Sequence, residues 1–312
     1  MTSPRHLVAL VGPTASGKTA AAIAASERLP VEIVSADSRQ VRSGMVVGTA
    51  APTKAELEAV PHHIVGVVAP DAPWSIVDWL ERAQAVLERI WERDRVPLVA
   101  GGTGQYIWAL LEGWDVPSVP PDPALRDRLE KQAKERGWRA LHEHLARLDP
   151  ASAERIDPRN VRRVIRALEI VEATGGPVPP LTPRDPGFTW KVIGMRWDRE
   201  RLYERADARV AAMFKGGLIG ETRSLVQKYG RDFEALRSIG YPEALGVIDG
   251  TLTETQAVER ARLATHRFIR HQNNWFAPDD PRIEWVDGSR TEAVVDAVVR
   301  AARPPVGSRD DG

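Results

Sequence analysis

Short apolar runs separated by longer amphipathic stretches dominate the first third of the chain. Leu7–Val11, Glu32–Ala36, His63–Val67, Pro97–Ala100 and, further on, Lys191–Arg196 are rich in Val, Ile or Leu and show no clear alternation. That is the pattern of parallel strands covered on both faces. Helical stretches at Thr19–Arg28, Lys54–Ala59 and Ser75–Arg93 separate the first four, so the expected class is α/β with a parallel sheet. The alternation stops after Trp114, where Pro117, Pro120, Pro121 and Pro123 mark a boundary. Helical segments at Pro123–Arg136, Trp138–Leu148 and Pro158–Ala173 follow without a strand, and a second proline-rich stretch, Pro177–Pro186, closes the region. The expected organisation is a core of residues 1–120 and 184–302, a helical insertion over 121–183, and a disordered tail over 303–312. Within the core, Glu200–His271 reads as mainly helical.

Composition changes this picture little. The 43 basic and 43 acidic side chains cancel, so contact with a nucleic acid would depend on local clusters of arginine. The absence of cysteine excludes disulfides, thiolate metal sites and cysteine nucleophiles. Scattered histidines show no metal-ligand spacing. The first apolar run is too short for a secretory or membrane segment, so a cytoplasmic protein without a membrane span is expected.

The segment Gly12-Pro13-Thr14-Ala15-Ser16-Gly17-Lys18-Thr19 fits G-x-x-x-x-G-K-[ST] between an expected strand and an expected helix, as in ATP-binding phosphate loops. Glycines let successive N–H groups converge on phosphate oxygens, and the helix N-terminus adds a favourable dipole. Lys18 would neutralise the terminal phosphate, and the Thr19 hydroxyl would help hold Mg²⁺. A kinase or NTP hydrolase normally supplies a second acid at a neighbouring strand end. Here Pro97–Ala100 runs into Gly101-Gly102-Thr103-Gly104, which has no carboxylate. The acid that does end a strand is Asp37, in Ser35-Ala36-Asp37-Ser38-Arg39-Gln40. From pattern alone it serves a metal ion or acts as a base on an incoming nucleophile.

GPTASGKT, SADSRQV, GGTGQYI, DPRNVRRVIRALEI and RSIGY, in this order and over Leu7–Trp285, together resemble the tRNA dimethylallyltransferase (tRNA isopentenyltransferase) family. The resemblance implies a P-loop NTPase-like sheet core with a helical insertion. The implied reaction carries a dimethylallyl group from dimethylallyl diphosphate to N6 of the adenosine 3′-adjacent to the anticodon in tRNA. The phosphate loop would then grip a departing diphosphate, Asp37 would accept the amine proton, and Thr103 would hydrogen-bond near the bridging oxygen. Arg209, and as a second candidate Arg223, would help hold the diphosphate. Such an acceptor base must leave its stack to be read in a pocket. Ser38, Arg39 and Gln40 match the tRNA-contacting segment, Gln40 having the geometry to read an adenine edge. The alternative is that these residues cap the turn after the second strand.

Asp157-Pro158 reads as the N-cap and first residue of a helix on which Arg159, Arg162, Arg163 and Arg166 recur at spacings of three and four. Clustered guanidinium groups suit RNA phosphates; a solvated face paired with Glu154 or Glu169 is the bland alternative. By the resemblance, Arg126, Arg237, Gly240, Tyr241, His266, Arg267, Arg270 and Gln272 also meet tRNA, with the glycine permitting close backbone approach. Arg42, Ala51 and Asn274 depart from the usual Tyr, Lys and Thr and bear on local tRNA contacts, whereas Lys18, Asp37 and Thr103 are intact. The expected cofactor is Mg²⁺, and a monomer is the expected state. The rivals are an adenylate isopentenyltransferase, a P-loop small-molecule kinase and a non-catalytic RNA-binding module. The insertion with its arginines speaks against the first, the Gly-Gly-Thr-Gly strand end against the second, and the complete phosphate loop beside Asp37 and Thr103 against the third.

Overall fold

The computed structural model describes residues 5–303 and divides into two compact units. The first comprises the residues up to Gly113 and those from Asp185 onward; the second is Trp114–Arg184. The tail expected to be disordered lies, beyond Arg303, outside the described residues.

The first unit carries one six-stranded, all-parallel sheet. Its strands are β1 (His6–Val11), β2 (Val31–Ala36), β3 (His62–His63), β4 (Val96–Gly101), β5 (Thr189–Arg196) and β6 (Ile283–Asp287), in the order β3-β2-β4-β1-β5-β6. This is the P-loop NTPase-like arrangement. Around it run α1 (Lys18–Ser26), α2 (Lys54–Ala59), α3 (Ile76–Glu92) and α4 (Gly104–Leu111). The second unit holds α5 (Pro123–Leu148), α6 (Pro150–Arg155) and α7 (Val161–Thr174). Returning to the first, α8 (Arg199–Lys215), α9 (Leu218–Tyr229), α10 (Tyr241–Ile248), α11 (Glu254–Gln272) and α12 (Thr291–Ala301) complete the chain.

Every residue of β1 is buried, which is why its sequence shows no polar alternation. Register decides where the functional loops go. Val11 of β1 and Ala36 of β2 both pair with Gly101 of β4. The segments after β1, β2 and β4 therefore leave the sheet side by side at its carboxyl edge, where α/β sheets bind ligands. Gly101 is required there: a Cβ would lie 2.1 Å from the Ala36 carbonyl oxygen.

Several expectations needed correction. The third strand ends at His63 rather than Val67, because Ile64 and Gly66 take φ of 61° and 62° and turn the chain out of the sheet. β6 and α12 were not anticipated; α12 buries Val294, Val295 and Val298 against α1 and β5. In the second unit α5 breaks at Gly137 (φ 80°), between the two segments read from sequence. Asp157-Pro158 does not start the next helix. Asn160 does, its side chain accepting from the Arg163 amide, while Asp157 closes a local turn on the Arg159 amide. Arg159 therefore lies outside α7. Leu129, Leu141, Leu145, Val164 and Leu168 form this unit's own core; truncating one of the leucines to alanine would cost about 2–5 kcal/mol.

Candidate active site

The phosphate loop runs from Gly12 to Gly17 between β1 and α1, with Ala15 and Gly17 in left-handed backbone at φ of 64° and 92°. A non-glycine residue keeps such a conformation only where its surroundings enforce it. Three side chains do so from outside. Arg205 Nε donates to the Ala15 carbonyl at 3.0 Å, Trp197 Nε1 to the Ser16 carbonyl at 3.1 Å, and Gln272 Oε1 accepts from the Thr14 amide at 2.8 Å. Arg205 also lies over the Trp197 ring, 4.6 Å from its centroid.

Lys18 Nζ donates to the Gly12 and Pro13 carbonyls at 2.9 and 2.8 Å and, at 3.4 Å, to Ser16 Oγ. Burial pulls its pKa down to about 8; Asp37 opposes that shift and Arg209 adds to it. Burial likewise lowers the pKa of Arg209, with Asp37 again opposing. Lys18, Arg209 and Asp37 thus share one electrostatic neighbourhood: two cations and the carboxylate at the end of β2.

Asp37 Oδ1 accepts from the amides of Arg39 (2.8 Å) and Gln40 (3.3 Å), which fixes the carboxylate and leaves Oδ2 without a hydrogen bond among the described residues. Next to it, the Ser38 amide donates to Thr103 Oγ1 at 3.1 Å, and the Thr103 amide donates to the Ala36 carbonyl at 3.2 Å. Because that hydroxyl already accepts, its own proton is available to donate. Gln272 completes the frame: its Nε2 donates to the Gly102 carbonyl at 3.1 Å, so one buried amide ties the phosphate loop to the loop after β4. From outside the sheet, Trp79 Nε1 donates to the Ser35 carbonyl at 3.0 Å and its ring stacks on Tyr106 of GGTGQYI at 4.7 Å.

The other sequence-derived residues divide sharply. Arg209 Nη2 donates to the Thr49 carbonyl at 3.1 Å, within the site. Arg223 is exposed on α9, and no hydrogen bond or ion pair joins it to the phosphate loop among the described residues. Arg39 is exposed, whereas Gln40 binds the Ala50 carbonyl (3.1 Å) and Ser35 Oγ (3.4 Å), so its amide is already oriented by the protein. Gln272 and Tyr241, taken from sequence as surface contacts, are buried; Tyr241 donates to Glu221 at 2.8 Å. Gly240 is buried as well, at φ 99°. Arg237, Arg267 and Arg270 are exposed, and Arg270 donates to Tyr203, which stacks on His266 at 4.0 Å. Arg42 is buried, its Nη1 donating to the carbonyls of Ala69 and Ala72. In the second unit, Arg162 and Arg163 are exposed, while Arg126 and Arg166 both bind the buried Glu169.

Comparison with known proteins gives the family. An IPP transferase family model matches residues 40–279, and an isopentenyl transferase model matches residues 5–63. The chain belongs to the IPP transferase family. It is 44% identical over 272 residues to a tRNA dimethylallyltransferase of Roseiflexus sp. (strain RS-1), covering 86% of this chain and 89% of that one. Against the tRNA dimethylallyltransferase of Herpetosiphon aurantiacus the figure is 40% over 307 residues, 97% of each. The crystal structure of the full-length tRNA isopentenylpyrophosphate transferase from Bacillus halodurans superposes with a TM-score of 0.69 at 34% identity, covering 96% of this chain and 97% of that one. A eukaryotic dimethylallyltransferase captured acting on tRNA shares the fold, with a TM-score of 0.79 at 22% identity over 98% and 82% of the two chains. As an IPP transferase family member, the chain is a prenyl-transferring enzyme. Among the described residues no helix is long and apolar enough to cross a membrane.

Proposed function

We propose that this enzyme transfers the dimethylallyl group of dimethylallyl diphosphate to N6 of the adenosine 3′-adjacent to the anticodon in tRNA, as a cytoplasmic monomer. The observation that carries the reading is the pairing at adjacent strand ends. The amide of Ser38, the residue after Asp37, donates to the Thr103 hydroxyl, and Asp37 is electrostatically coupled to Lys18 and Arg209.

In this reading the loop amides, Lys18 and Arg209 hold the diphosphate. The bond between the allylic carbon and the bridging oxygen breaks, its electron pair leaving with the diphosphate. The N6 lone pair forms the new bond to that carbon, and the N6 proton passes to Asp37 Oδ2. Thr103 donates toward the bridging oxygen as its charge grows, the moment at which such a donor counts most. Asp37 can act as the base because its other oxygen is already anchored by two amides.

Mg²⁺ belongs to this reading, through one hydroxyl donor, Thr19 Oγ1. No group of three or more His, Cys, Asp or Glu side chains able to hold a metal occurs among the described residues, so a resident ion would rely on Thr19 Oγ1 together with diphosphate oxygens and water. Mg²⁺ is commonly held in that way. Bound there, it would supply charge neutralisation on the leaving group.

Labelled dimethylallyl diphosphate with Mg²⁺ and unmodified tRNA, AMP or ATP tests the proposal. Label is expected on tRNA alone. Label on AMP would favour the adenylate enzyme, and transfer of a γ-phosphate from ATP would overturn the reading.

A further inference from the structure

A carboxylate outside the reacting centre sits at the hub of the site's wall. Glu221, in the first turn of α9, accepts four hydrogen bonds. Its Oε2 takes the amides of Val46 (2.9 Å) and Val47 (2.7 Å), and its Oε1 takes the amide of Gly48 (3.0 Å) and the Tyr241 hydroxyl (2.8 Å). Three successive amides pointing at one point form a concavity for an anion. Here the protein supplies that anion from its own chain. The fit is close: a Cβ on Gly48 would come within 2.4 Å of the buried Tyr241 ring.

The turn held in this way continues into Thr49 and Ala50. Thr49 is buried with its hydroxyl on the Met45 carbonyl, and Ala50 takes φ 45°, a conformation alanine keeps only under constraint. The carbonyls of these two residues are the acceptors for two groups of the site. Thr49 O receives Arg209 Nη2 at 3.1 Å, and Ala50 O receives Gln40 Nε2 at 3.1 Å. One short segment thus orients both the guanidinium beside the phosphate loop and the amide beside Asp37.

We propose that Glu221, together with Tyr241, is a positioning pair for the transfer reaction: by seating the 46–48 amides it sets the Thr49 and Ala50 carbonyls that aim Arg209 and Gln40. The inference rests on the proposed prenyl transfer. It also gives Tyr241 of the RSIGY motif a task inside the protein.

The test is steady-state kinetics of dimethylallyl transfer to tRNA, with wild type, Glu221→Gln and Tyr241→Phe, each also combined with Arg209→Ala. Wild type without transfer to tRNA would sink the function itself and leave the geometry unaddressed. With wild type active, Glu221→Gln should raise the KM for dimethylallyl diphosphate about ten-fold, the equivalent of one charge-assisted hydrogen bond, with kcat nearly unchanged. Tyr241→Phe, which keeps the ring against Gly48, should move KM the same way by about three-fold. In the Arg209→Ala background either change should add less than about two-fold, because the group it aims is gone. Full additivity in that background, or a cooperatively folded Glu221→Gln enzyme with wild-type KM, would reduce the pair to a loop clamp. Should Glu221→Gln fail to fold, Tyr241→Phe decides alone: an unchanged KM overturns the proposal.

Discussion

The carboxyl edge of the sheet and the arginine face of α7 handle polar groups in opposite ways. At the sheet edge each group assigned to the proposed reaction is fixed by a hydrogen bond to something rigid: Asp37 by two amides, Thr103 by the Ser38 amide, the phosphate loop by Trp197, Arg205 and Gln272. On α7 the arginines divide. Arg166, with Arg126 of α5, closes on the buried Glu169 at 3.2 and 2.6 Å, whereas Arg162 and Arg163 keep exposed side chains. Preorganised dipoles are what chemistry requires, since they stabilise developing charge without reorganising. Exposed surface cations are what a polyanion requires, because they act over a Debye length and release counterions on contact. The contrast teaches that membership of a basic stripe does not define a surface open to RNA. The exposure of each guanidinium does.

The sharpest way to break the comparison is at Asp37. Asp37→Asn keeps an oxygen for the Arg39 and Gln40 amides and removes the base, so kcat should fall about a thousand-fold while tRNA affinity stays within a few-fold. A tRNA-binding defect of the same size, measured by filter retention, would move Asp37 from the chemistry to recognition. Thr103→Val should slow single-turnover transfer about a hundred-fold, and Thr103→Ser should restore most of it. Equal rates for Val and Ser would remove the hydroxyl from the mechanism.

Lys18 gives a pH signature that α7 cannot share. Its pKa is lowered to about 8, chiefly by burial, so the free protein loses this charge as pH rises above that value. An incoming diphosphate favours the charged form and must then recover the proton. Affinity for dimethylallyl diphosphate, a diphosphate ester whose last ionisation near pH ~6 is complete by then, should be flat from about pH 7 to 8 and fall about ten-fold per pH unit above that. Calorimetry in buffers of different ionisation heat would show the matching proton uptake, and a flat profile to pH 10 would contradict it.

How far the sequence reaches differs between these regions for physical reasons. The phosphate loop, Asp37 and Thr103 were legible because strand–loop–helix punctuation places them at strand ends, and parallel register then brings them together. The burial of Gln272 and Glu169 was not read in advance: Gln272 entered through the resemblance as a tRNA contact, and Glu169 as a partner on a solvated arginine face. The buried stripe of α11 runs Ala257, Ala261, Thr265, Ile269, Gln272, so a polar side chain in phase with it was the available signal of an internal anchor. Glu169 lies among Leu168, Ile170 and Val171, a carboxylate in an apolar run that called for a buried cation. Glu221 had no such mark, since the amides it binds are remote in sequence and identical in any chain. Pair bonding across long sequence separations is what periodicity cannot show.

Glu169 sharpens the comparison from the structural side. Burial raises its pKa, but Arg126, the Asp122 amide and Arg166 outweigh that and hold it below the usual range. The stability this contributes is complete above the ordinary glutamate range and is lost as pH falls through the lowered value. Glu169→Gln should therefore destabilise the insertion by about 1–2 kcal/mol at pH 7, and the deficit should shrink toward pH 3 in urea titrations. A constant deficit would mean that packing rather than charge is at stake.

The smallest effect belongs to the exposed pair. Arg162→Ala with Arg163→Ala should leave thermal stability unchanged, because neither side chain is buried. Affinity for tRNA should fall about five-fold at ~0.1 M salt, and the slope of log K against log salt should flatten by about 1.4, from ~0.7 per phosphate lost on a single-stranded target. Arg126→Ala gives the reverse pattern if its task is Glu169: a lower melting temperature and an unchanged slope. Should Arg126→Ala flatten the slope while the exposed pair does not, the division between guanidinium groups held on the buried Glu169 and exposed ones fails, and the tRNA path over this unit must be redrawn through the Glu169 cluster.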